Sequence, residues 1–160
     1  MEAKKSELEL INFYLLEHQF FTVNPDNKSE FSGEEIDGTF NQYPIDINFI
    51  HKDIDEHTFQ AHVQIMINHK EQQLAGYSIK IAGVGVFRLN NEMIKQNETT
   101  YKNLKHFSTV NIVVNNLRNV ISIQSAFSPW GRYNLPAIDI SDLFKQKIKE
   151  QENQKKAKEK

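Results

Sequence analysis

The stretch His57–Asn90, HTFQAHVQIMINHKEQQLAGYSIKIAGVGVFRLN, decides the fold class. Phe59, Ala61, Val63, Ile65 and Ile67 alternate with Gln60, His62 and Gln64, the period-2 pattern of a strand with one face buried. NHKEQQ is a polar turn or hairpin end, and a second strand follows it, with Tyr77, Ile79 and Ile81 opening its apolar face. Gly83 and Gly85 continue that strand and imply a bulge or a close backbone approach. A strand so short of side chains lets another segment lie flat against it.

Working upstream, PIDINFIHKD (Pro44–Asp53) places Ile45, Ile47 and Phe49 on one face, with Asp46 and Asn48 on the other. Between Asn24 and Pro44 the chain is rich in turn formers and has little periodicity, so a long loop is expected. LELINFYLLEHQFFTV (Leu8–Val23) suits a strand better than a helix, because of its aromatic content and the NPDN turn behind it. It is apolar on both faces. Such a strand is either central in its own domain or covered by another subunit.

Downstream of Asn90 the period changes. NNEMIKQNETTYKNLKHF suits a short helix and a connection. Val110, Val113, Val114, Leu117, Val120, Ile121 and Gln124 then fall at helical spacing, with Ser108 or Thr109 as N-cap. Ile112 and Ile123 interrupt the polar side, so this helix also asks for burial on two sides. A last helix opens near Asp139 or Ser141 and presents Leu143, Phe144 and Ile148. Strands first and helices after give an α+β domain, an antiparallel meander of about four strands with helices on one face.

The loop between those helices, within SAFSPWGRYNLPAIDISDLFKQK (Ser125–Lys147), holds the only Trp, two Pro, a Gly and an Arg. Trp130 either plugs the helix–sheet core or stands in the wall of a groove.

Composition bounds the function. At 160 residues one domain is expected, over 1–148, followed by a charged tail, 149–160, that is frayed or disordered. The net charge of −2 hides an asymmetry. Lys145–Lys160 carries seven Lys and three Glu, leaving 12 basic against 18 acidic residues elsewhere. An acidic body disfavours nucleic acid, which needs clustered positive charge. The tail is a solvated helix end or an arm for an acidic partner. Absence of Cys excludes thiolate chemistry and suits the cytoplasm. No apolar run is long enough for membrane insertion.

Catalytic patterns are missing. His51, His69 and His106 have no His or carboxylate partner at helical spacing, and His57 and His62 flank the start of one strand on opposite faces, so no metal site is expected. EEID (Glu34–Asp37) and DIDE (Asp53–Glu56) are loop charges without a nucleophile nearby. AGVGVF lacks the third Gly or Lys-Ser/Thr of a phosphate loop. No enzyme and no cofactor is expected. Left over is apolar surface on the first strand, the long helix and the aromatic loop, which favours oligomer interfaces and an apolar peptide or ligand groove.

GVGVFRLN followed by TVNIVVNNLRNVISIQSAFSPWGRYNLPAIDISDLF resembles the bacterial protein-export chaperone family SecB. That family has a Gly-rich strand, a long helix with a central Arg, an NLPAIDI-like segment and DLF opening the last helix. The resemblance runs from about Ile11 to Ile148. It implies a four-stranded antiparallel sheet with helices on one face, assembled as a dimer of dimers, a homotetramer. It implies an ATP-independent holdase that keeps unfolded preproteins extended for export. Its groove would comprise Ile45, Ile47 and Phe49, facing Val113, Leu117, Leu143 and Phe144, with Trp130, Tyr133 and Leu135 completing the wall. Lys80 and the Lys-rich tail depart from the acidic sheet face and tail through which the family docks on the export ATPase SecA. Relatives of the fold also serve as dedicated chaperones of toxin–antitoxin pairs. A small apolar-ligand binder is the alternative from another class.

Overall fold

The computed structural model describes residues 1–24, 38–89 and 97–158. Four strands, β1 (Leu8–Val23), β2 (Ile45–Asp53), β3 (Thr58–Ile67) and β4 (Gly76–Leu89), form one antiparallel sheet. Three helices follow: α1 (Glu98–Asn103), α2 (Thr109–Ala126) and α3 (Ile140–Lys158). The chain is α+β, with helices packed on one face of the sheet.

The strand order is β1-β4-β3-β2, which corrects the simple meander. Only β2, β3 and β4 run as hairpins. β1 pairs with β4, from Leu8 opposite Leu89 to Val23 opposite Gly76, and both β1 and β2 are edges. The physical reason lies in the connection from 24 to 44, much longer than the roughly two to five residues of a hairpin loop. It frees β1 to seek the long apolar edge of β4. The doubly apolar first strand is thus an edge of the sheet rather than one of its inner strands. Register shifts at Leu10/Asn12 and Leu15/Glu17 put the bulges on β1 rather than on β4.

On β4 the glycines mark a close approach instead. A Cβ on Gly83 would lie 2.8 Å from the Phe13 ring and 3.0 Å from Leu117 Cδ2. One on Gly85 would lie 2.5 Å from the Phe87 ring and 2.8 Å from Val113 Cγ2. The strip without side chains is the seat of α2, whose Val110, Val113, Val114, Leu117 and Ile121 are buried against Phe59, Ala61, Val63, Ile65 and Ile81 of the sheet.

Two details of the helices differ from expectation. Ser108 is not an N-cap: its φ of −65° and ψ of −39° are helical, and its hydroxyl makes no capping bond. The chain enters α2 from α1 through one turn of π-helix, Leu104–Ser108, so the true cap lies upstream, where Asn97 Oδ1 accepts from Thr100 N at 3.0 Å. Asp139 caps α3, accepting from Asp142 N at 3.0 Å. The α3 backbone is helical to Lys158, through most of the segment in which the sequence suggests a frayed tail. No helix among the described residues is long and apolar enough to cross a membrane.

Candidate functional site: a trough along the open edge of the sheet

Among the described residues β2 pairs with β3 alone, so its other edge has no strand partner, although one amide on it, Phe49 N, donates to Asn48 Oδ1 at 2.9 Å. α3 runs beside that edge and meets it through side chains. The Phe144 ring lies 4.5 Å from Phe49 and 4.4 Å from Phe107, and Lys147 Nζ donates to Asn48 Oδ1 at 2.6 Å. Three hollows adjoin these contacts. The first, about 320 Å³, is lined by Phe40, Tyr43, Ile45, Arg132 and Tyr133. The second, about 400 Å³, lies between Ile45, Ile47, Phe49 and Met66 of the sheet and Leu143 and Lys147 of α3. The third, about 410 Å³, is formed by Phe49, Ile50, His51, His106, Phe144, Lys147 and Ile148. Ile45 is shared by the first two, and Phe49 and Lys147 by the last two, so they lie in series as a trough along β2. From Ile45 to His51 it is roughly 20 Å long at the rise of an extended strand.

The loop Phe127–Ile138 closes one end, and its polar anchors explain its sequence. Tyr77 Oη donates to Gly131 O at 2.7 Å and accepts from Trp130 N at 3.0 Å. Tyr133 N donates to Ser125 Oγ at 2.9 Å. The guanidinium of Arg118, the central Arg of α2, donates to Leu135 O at 3.1 Å and Pro136 O at 3.0 Å, and also to Asn115 Oδ1. Tyr133 stands among Phe40 (5.4 Å, edge-on) and Tyr43 (5.5 Å), with Tyr77 stacked on Phe40 at 5.5 Å. Tyr43 Oη donates to Ala75 O at 2.6 Å and accepts from Tyr77 N at 2.8 Å, and burial pushes that phenol up to about 12. Gly76, at φ +111°, is held against this hydroxyl, 2.1 Å from where a Cβ would sit. Gly131, at φ +78°, lets the loop turn back. Burial raises the Tyr133 phenol too, and its hydroxyl is enclosed without a hydrogen-bond partner among the described residues. The Trp130 indole N–H shares that condition.

At the other end the turn of π-helix brings His106 to His51, rings perpendicular and 4.9 Å apart. Thr109 Oγ1 donates to Lys105 O at 2.5 Å, so the 3.0 Å contact makes His51 Nε2 the donor to the hydroxyl. Burial, then the neighbouring His106 and Lys105, hold His51 down to about 4. Burial and Lys105 lower His106 as well. Lys105 is paired with Asp53 at 2.6 Å and lies over the Phe59 ring. Sequence spacing missed this His pair because its members are joined only by the packing of a helix on a strand. Among the described residues no three His, Asp or Glu side chains converge as a metal site would need.

The ten residues expected in a groove fall into three groups. Ile45, Ile47, Leu143 and Phe144 are half-buried along the trough, and Phe49 forms its floor. Trp130 is half-buried against the core, on the loop at the trough's end. Val113, Leu117, Tyr133 and Leu135 are buried, each no more than 3% exposed; Val113 and Leu117 lie on the face of α2 that packs on the sheet, and Tyr133 also lines the first hollow. Sequence periodicity identifies apolar side chains; it does not tell a trough wall from the core beneath it. Missed were Ile50 and Ile148, 58% and 56% exposed, and the polar rim of His51, His106, Lys147 and Arg132. Of the two acidic clusters, EEID lies outside the described residues. DIDE is a turn in which Asp55 Oδ1 accepts from His57 N and Thr58 N, both at 2.8 Å, and those bonds lower its pKa.

The architecture is an α+β fold, a four-stranded antiparallel sheet with helices on one face. No family model matches the sequence, and no curated protein does. Among solved structures the chain is similar to the SecB-like chaperone Rv1957 of Mycobacterium tuberculosis, in complex with a ChAD peptide from the Rv1956 HigA1 antitoxin. The TM-score is 0.56 and the identity 9%, over 82% of this chain and 90% of that one. At that identity the likeness is one of fold.

Proposed function

We propose that this chain is a polypeptide-binding chaperone that holds extended apolar segments along β2 without nucleotide. The observation that carries it is the trough itself: a sheet edge with no strand partner among the described residues, flanked by half-buried Ile45, Ile47, Leu143 and Phe144. An unfolded chain has both needs that such an edge meets. Its amides pair with β2, and its apolar side chains are buried at about 25 cal/mol per Å² with little demand on sequence. The antitoxin peptide bound by the structural neighbour supports a polypeptide client, and supports a dedicated toxin–antitoxin partner as the narrower form of the function.

Self-assembly belongs to the same proposal. Leu10, Tyr14, Leu15, Leu16 and Phe21 stand exposed on edge strand β1, while Ile123 and Phe127 are 62% and 89% exposed on and just after α2. A second copy along β1 covers the first set, and a pair of dimers covers the second, giving a homotetramer. Docking on SecA is not part of the proposal, because Lys80 and Glu17, 2.9 Å apart, neutralise each other on the outer sheet face.

The test is light scattering of several chemically denatured, unrelated clients diluted into buffer with stoichiometric chaperone and no nucleotide. Suppression of aggregation across clients is expected of a general holdase. Protection of a single antitoxin alone identifies the dedicated form. No protection of any client rejects the chaperone reading. Native mass separates the ligand-binding alternative, which requires a monomer carrying a small adduct.

A further inference from the structure

The third hollow of the trough has a charge character of its own. Its floor and walls are Phe49, Ile50, Phe144 and Ile148, and its polar members, His51, His106 and Lys147, include no carboxylate. The nearby Asp53 is occupied by Lys105 at 2.6 Å. Asp46 and Glu150 line the adjoining hollow instead.

Lys147 is the pivotal group. Its ammonium donates to a neutral amide oxygen, Asn48 Oδ1, and among the described residues no carboxylate lies within ion-pair distance of it. Asn48 Oδ1 also accepts from Phe49 N at 2.9 Å, so the amide's acceptor atom is shared between two donors. Such an ammonium, fixed at the rim of an apolar hollow and only partly exposed, keeps N–H donors for an anion.

We propose that this end of the trough selects client segments in which a bulky apolar residue is followed closely by a carboxylate. The apolar side chain sits on Phe49 and Phe144 between Ile50 and Ile148, and the carboxylate takes the free donors of Lys147. This selectivity rests on the trough being a polypeptide site, as proposed above. A lysine in the client at that position faces Lys147 with like charge and is disfavoured.

Three dye-labelled decapeptides, blocked at both ends, test the inference by fluorescence anisotropy at low salt. All share a Leu-Leu-Phe centre, followed by Asp, Asn or Lys. The Asp peptide is expected to bind about fivefold more tightly than the Asn peptide, with the Lys peptide weakest, the scale of one partly exposed ion pair. In Lys147→Gln the Asp-to-Asn ratio falls to about one, and in Lys147→Arg the preference is retained. Equal affinities for the Asp and Asn peptides on the unaltered protein, or a preference that survives Lys147→Gln, overturn the selectivity while leaving the trough intact as a client site. Binding of none of the three rejects the trough reading and the selectivity together.

Discussion

The ring of Phe144 on α3 lies 4.5 Å from that of Phe49 on β2, and this contact fastens the last helix to the open edge of the sheet. Lys147 to Asn48 is a further tie, an exposed one, and Leu143 packs against the core beside it. Phe144→Ala is therefore expected to free α3 rather than to hollow the core. The cost to global stability is about 2 kcal/mol, below the roughly 3–5 of a fully buried Phe. The sharper readout is hydrogen exchange: amides of α3 lose protection while those of β3 and β4 keep theirs. Undiminished protection in α3 would show that another contact holds it.

Gly85 lies where sheet and α2 leave no room for a Cβ. A methyl there meets the Phe87 ring at 2.5 Å and Val113 at 2.8 Å, both in the packed core. Gly85→Ala removes a residue of poor strand propensity and, at an open site, would stabilise. Here overpacking reverses the sign, with an expected loss of about 1–3 kcal/mol, visible as a lower urea midpoint with an unchanged slope. An unchanged or raised midpoint would mean that α2 is not seated on this strip.

What was legible in the sequence divides along the same line as these contacts. Alternation in His57–Asn90 and helical spacing from Val110 to Ile121 gave the elements, because burial on one face leaves a periodic trace. Gly83 and Gly85 signalled a close approach, though not that Val113 and Leu117 would make it. Strand order left no such trace: β1 is apolar on both faces, and only the length of the 24–44 connection hints that it can pass to β4. For the trough, Ile45, Ile47, Leu143 and Phe144 were found as apolar side chains. Their neighbours Val113 and Leu117 were indistinguishable from them, since core and wall obey one hydrophobic rule. The meeting of His51 with His106 depends on a π-helical turn, which shifts the phase of the helix by one residue and cannot be anticipated from spacing.

Tyr77 holds the loop that closes the trough, through two hydrogen bonds from one hydroxyl. Tyr77→Phe keeps the ring on Phe20 (4.9 Å) and Phe40, but leaves Gly131 O and Trp130 N without their partner. A loss of about 1–3 kcal/mol is expected, the penalty for unsatisfied, partly buried backbone groups. Trp130 is the only tryptophan, so its fluorescence reports the loop directly. A red-shifted, more easily quenched emission in the folded variant is the expected result; an unchanged spectrum would indicate that Arg118 and Ser125 suffice to hold the loop.

The His51–His106 contact sets the direction of the pH dependence. His51 is held down to about 4 by burial first, then by His106 and Lys105; His106 is lowered by burial and Lys105, while Asp53 opposes both shifts. Around this pair stand Lys105 and Asp53, joined at 2.6 Å, Thr109 as acceptor for His51, and Lys147 across the hollow. An unfolded chain takes up these protons near 6.5, and the folded chain only at lower pH. The favourable term is therefore complete above about 6.5 and is lost as pH falls toward 4. Full burial would make the His51 shift worth about 3 kcal/mol; with the ring partly exposed, about 1–2 kcal/mol is expected. His51→Gln keeps a donor for Thr109 and removes one titration. Its melting temperature is expected to fall less steeply between pH 6.5 and 4 than that of the unaltered protein. Parallel pH profiles for the two would mean that other groups, chiefly the carboxylates, govern acid sensitivity.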